Sequence, residues 1–101
     1  ITAFNIGGYD YDFLTPEIGQ NYDENKPPWT FIADHSSHEI QITLFMEHPL
    51  FSYAKRGGEK ILTKMAQIDV FCQMMQDMGH SIAEVQGKRE LLYRDVFGEG
   101  V

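Results

Sequence analysis

The sequence has only one cysteine, Cys72, among 101 residues. An intrachain disulfide is therefore excluded, and so is a zinc site built on several thiolates. Basic residues are scarce: eight Lys and Arg stand against 15 Asp and Glu, for a net charge of −7. Repulsion from phosphate means that direct binding to nucleic acid is not expected. No apolar run approaches the roughly 18 residues of a membrane span, and no basic-then-apolar leader opens the sequence. Together with the unpaired thiol, this gives the expectation of a reducing, cytoplasmic setting and no membrane partner. No Gly-x-Ser-x-Gly elbow and no phosphate-binding Gly-x-x-x-x-Gly-Lys-Ser/Thr loop is present.

What is present fits a folded chain, with 43% apolar, 13% aromatic and 23% charged residues. The length corresponds to a single α+β domain over residues 1–101, large enough for its own core. Glu59 to Met78 is the one long stretch with helical spacing. Ile61, Met65, Ile68, Cys72 and Met75 fall on one line, and Val70, Phe71, Met74 and Met78 make a second apolar strip. Gly79 follows where a left-handed residue would end the helix.

Residues 1–6 alternate as a strand and stop at Gly7 and Gly8. Residues 8–28 show no sustained period and read as a long acidic and aromatic loop. Trp29 to Ala33 and Glu39 to Glu47 read as a hairpin, with Ile40, Ile42 and Leu44 on one face. Pro49 suits the first position of a short helix. For 80–97 two readings compete. Ser81 and Glu84 have capping-box spacing, which favours a helix, whereas Gln86-Gly87-Lys88 resembles a tight turn between strands. The hairpin is preferred because a small sheet needs further strands to cover the helix. The expected architecture is a small antiparallel sheet with one long amphipathic helix packed on a face.

Charge divides the chain. Residues 1–54 hold eight acids against Lys26 alone, while most of the basic residues follow. Aromatic anchors rimmed by acids resemble an interface core and its rim. This points to a non-enzymatic acidic protein-binding module, an inhibitor or regulator of another protein with a basic surface, such as a nucleic-acid-binding one. The candidate contacts are Tyr9, Asp10, Tyr11, Asp12, Phe13, Tyr22, Asp23, Glu24 and Trp29. Val70, Phe71, Met74 and Met78 are candidates for a second contact or a homodimer.

Two other function classes compete. His35 and His38, flanked by Asp34 and Glu39, could serve a metal-dependent or small-molecule enzyme. Their turn-like setting needs no ion, so no catalytic residue, metal ligand or cofactor is assigned. The segment from Ile61 to Leu92 could instead be a helix-turn-helix pair presenting His80, Gln86, Lys88 and Arg89 to DNA. Cys72, on the apolar stripe, reads as packing and not as a nucleophile.

Overall fold

A computed structural model describes residues 3–52 and 58–98. Five strands and three helices follow one another: β1 (Ala3–Ile6), β2 (Tyr9–Phe13), β3 (Glu17–Ile18), β4 (Trp29–Asp34), β5 (Glu39–Leu44), α1 (Pro49–Ser52), α2 (Gly58–Asp77) and α3 (Ile82–Phe97). The fold is mixed α+β, with one five-stranded sheet and two long helices. It corrects the expectation of a wholly antiparallel sheet under a single helix.

The first correction lies in residues 8–28, expected to be one long loop. Gly7 and Gly8 have φ of 62° and 90°, and Ile6 pairs with Tyr9 across them. A two-residue turn with both central φ positive matches the twist of antiparallel strands, so β2 folds straight back on β1. The alternation Tyr-Asp-Tyr-Asp-Phe over Tyr9–Phe13 carries the signal, but it lasts only five residues.

β5 is the centre of the sheet. β4 pairs with it antiparallel along its whole length, from Trp29↔Leu44 to Asp34↔Glu39. Its opposite edge is shared by β2 and β3, both parallel to it. The Leu14 N–H donates to Ile40 O at 2.9 Å, and the Gly19 N–H donates to Leu44 O at 2.7 Å. Gln41 Nε2 donates to Thr15 O at 2.8 Å and so spans the break between β2 and β3.

One face of the sheet is apolar. Phe4, Ile6, Tyr11, Ile40, Ile42 and Leu44 are buried there in the same core as Leu62, Ala66, Ile68, Phe71 and Cys72 of α2. Phe4 and Phe71 meet at a ring separation of 4.7 Å. The predicted stripe on α2 holds for Ile68, Cys72 and Met75, whereas Ile61 is 52% exposed. α2 ends as expected. Gly79 has φ of 91°, its N–H donates to Gln76 O, and the His80 N–H donates to Met75 O, which together close the last turn.

Residues 82–97 form a helix and not the preferred hairpin. Ser81 Oγ accepts from the Glu84 N–H at 3.2 Å, and a Glu84 carboxylate oxygen accepts from the Ser81 N–H at 3.4 Å. An interior glycine costs about 1 kcal/mol. Burying Val85 and Leu92 is worth about 1.5–3 kcal/mol for each side chain, enough to outweigh Gly87. Phe97 stacks on Tyr93 at 5.5 Å and packs against the core. Among the described residues, no helix is long and apolar enough to cross a membrane.

Candidate functional site

The two apolar strips of α2 are both used inside the chain. Val70, Phe71 and Met74, expected at a partner contact, are 1%, 2% and 3% exposed and lie in the core of the chain. Phe71 lies between Phe4 of the sheet and Lys88 of α3, the helix found where the hairpin was expected. Met78 alone of that set is exposed.

The N-terminal candidates are divided by strand geometry. Successive side chains point to opposite faces, so Tyr11 and Phe13 turn to the core while Asp10 and Asp12 turn to solvent. Phe13 meets Phe4 edge-on at 5.3 Å. The expected aromatic anchors and their acidic rim therefore do not share one surface on β2. Tyr9, at the turn, stays 58% exposed. Tyr22 is half-buried, with its ring 6.3 Å from Phe45. Asp23 accepts from the Asn25 N–H at 2.8 Å, and Glu24 is exposed. Trp29 is half-buried and donates its indole N–H to Asp69.

The β4–β5 turn is tied to β2. Asp34 Oδ1 accepts from the Ser36 and Ser37 N–H groups at 2.8 and 3.1 Å. The backbone bond from Ser37, followed by that from Ser36, holds the Asp34 carboxyl below its ordinary range. His35 Nδ1 is bonded to the Tyr11 hydroxyl at 2.7 Å. His38, with φ of 57°, stacks on Tyr9 at 4.6 Å and meets Tyr11 edge-on at 5.2 Å. Two imidazoles and two phenols thus close one end of the sheet. Among the described residues, no group of three His, Cys, Asp or Glu side chains is arranged to hold a metal ion.

On the solvent side of the sheet, register aligns carboxylates that sequence distance hides. Asp12 pairs with Glu39, and Glu39 pairs with Asp34, so three acids lie abreast across β2, β5 and β4. Asp10 lies on the same face, held by Asn5 Nδ2 at 3.0 Å. Among the described residues, the ion pairs involve His80 with Glu84 and Arg89 with Asp69, not these acids. Strand parity could have revealed this row, had β2 been recognised as a strand.

A groove that sequence reasoning missed separates β4 from α2. One cleft of about 270 Å³ is lined by Phe31, Ala33, His35, Met74, Asp77 and Met78. A second, of about 380 Å³, shares Phe31 with it and adds Trp29, Thr30, Asp69 and Gln73.

The basic residues of the helix-turn-helix reading turn back to the chain itself. Lys88 Nζ lies 6.0 Å from the centre of the Phe71 ring, and Arg89 Nη1 is 3.7 Å from Asp69. Burial pushes the Cys72 thiol above its ordinary pKa, with Arg89 opposing the shift and Asp69 adding to it. Comparison of the chain with known protein families, with curated proteins and with solved structures finds no match.

Proposed function

We propose that the protein is a non-enzymatic acidic protein-binding module, a regulator or inhibitor of a partner that presents a basic surface to the open face of the sheet. The observation that carries this reading is the row Asp12, Glu39 and Asp34 across three neighbouring strands. Like charges placed directly opposite on a sheet oppose folding. A basic partner supplies the missing counter-charge, speeds encounter and makes association salt-dependent. Asp10 extends the same field.

The test is capture from the native cell at low and then high salt, with Asp12→Asn, Glu39→Gln, Asp34→Asn and Asp10→Asn combined. The amide oxygen introduced by Asp34→Asn can still accept the N–H groups that close the turn, so the fold is retained. The partner captured by the wild type should be lost at high salt. For the neutralised variant, association should slow by about tenfold or more. Capture with an unchanged rate and salt response would sink the proposal.

A further inference from the structure

We propose that the edge of β4, which pairs with no strand but β5 among the described residues, is a strand-addition site for an extended, basic segment of another protein; this rests on the reading of the chain as a protein-binding module and gives that module a second, separate contact. The Phe45 N–H donates to Pro28 O at 2.8 Å, so alternate residues from Pro28 onward, Thr30, Ile32 and Asp34, direct their backbone groups to β5. The other side of β5 obeys the same parity, since Ile40 O and Leu44 O accept from residues 14 and 19. Trp29, Phe31 and Ala33 therefore aim their N–H and C=O groups outward along the edge.

Edge strands are ordinarily guarded by lysine, proline, a bulge or a covering element. The middle of β4, Thr30-Phe31-Ile32-Ala33, has no charge and no proline, and Ile32 is 76% exposed. The six residues offer about 20 Å of template at about 3.3 Å per residue. Beside it runs the groove against α2, and an added strand would place alternate side chains in its two clefts.

Charge selects the occupant. Asp77 lines one cleft and Asp69, already facing Arg89 at 3.7 Å, lines the other; among the described residues neither cleft has a lysine or arginine in its wall, so Asp77 carries the net negative charge there. A second copy of the chain, also at −7, would bring a second β4 and its neighbouring acids against the first. A basic segment is attracted where a second copy is repelled.

The experiment uses the full chain and two short peptides, one alternating lysine with valine and one alternating glutamate with valine. Binding is followed by Trp29 fluorescence and by amide hydrogen exchange. The lysine peptide should bind, weaken with salt, and slow exchange at Trp29, Phe31 and Ala33. Ala33→Pro removes an outward N–H that no ladder bond uses, so the fold should persist while affinity falls by about tenfold or more. Should that variant unfold, Asp77→Lys provides the second test, weakening the lysine peptide and strengthening the glutamate peptide. Equal affinity for the folded Ala33→Pro chain, or no binding of the lysine peptide, overturns the site. So does dimerisation of the unliganded chain with the same amides protected, which assigns the edge to a second copy. Slowed exchange confined to Asp10 and Asp12 would also overturn it, while leaving the acidic-face module standing.

Discussion

The indole N–H of Trp29 donates to Asp69 Oδ2 at 3.0 Å, and Asp69 Oδ1 lies 3.7 Å from Arg89 Nη1. One carboxylate thus joins the edge strand β4, α2 and α3. Both charged side chains are more than a third exposed, so solvent screens the Arg89 contact and the indole bond is the stronger link. A double-mutant cycle of Trp29→Phe and Asp69→Ala should give a coupling of about 1 kcal/mol by urea unfolding. The corresponding cycle of Asp69→Ala and Arg89→Ala should give less.

A different constraint acts at Gly19. A β-carbon there would lie against the ring of Phe45 and 3.0 Å from Thr43 Cγ2. Phe45 is buried and cannot swing away freely. Gly19→Ala should therefore destabilise the protein by about 1–3 kcal/mol, visible as a lower urea midpoint with unchanged slope.

Gly19 also shows why part of the fold was hidden from the sequence. Helical spacing in α2, the Pro49 start of α1 and the β4–β5 hairpin are local patterns, and each was legible. The parallel contacts of β2 and β3 with β5 join residues about 25 positions apart, through segments of five and two residues. No local period reports such a pairing. The choice between hairpin and helix at Ser81 to Phe97 depended on whether α2 would be covered by strands or by a helix, a tertiary question. The acidic candidates Asp10 and Asp12 were legible, but their companions Glu39 and Asp34 become neighbours only through register. The groove beside β4 has no sequence signature except an uncharged edge.

Gly87 provides a test of the α3 assignment. Apart from the adjoining residues and the helix's own backbone, no described atom lies within 4 Å of where its β-carbon would be. In a helix, Gly87→Ala should then stabilise the protein by about 0.4–1 kcal/mol. In a hairpin turn the same change would destabilise it. Thermal unfolding by circular dichroism decides between the two.

Cys72 gives a probe of opening. It is fully buried, and burial raises its thiol pKa, so folded protein should react negligibly with a thiol reagent at neutral pH. The labelling rate should rise with urea in step with the unfolded fraction, and Gly19→Ala should increase it in native buffer. Rapid labelling of fully folded protein would contradict the packing of α2 between the sheet and α3.

Glu84 is bonded to the His80 ring at 3.2 Å and to the Ser81 hydroxyl and N–H at 3.1 and 3.4 Å. The His80 bond, then those from the Ser81 side chain and backbone, hold its carboxyl below the ordinary range. A carboxyl depressed in the folded state binds its proton more readily in the unfolded chain. Its contribution is therefore present above the unfolded pKa and lost as pH falls through the lower, folded value. Glu84→Gln removes this dependence. The stability difference between wild type and Glu84→Gln should shrink as pH falls through the carboxylate range. Ser81→Ala, which removes the side-chain cap, should cost about 1 kcal/mol at neutral pH and reduce that dependence. Urea unfolding of the three proteins between neutral and acidic pH provides the measurement. A wild-type minus Glu84→Gln difference that stays flat down to acid would show that Glu84 is not held by the cap.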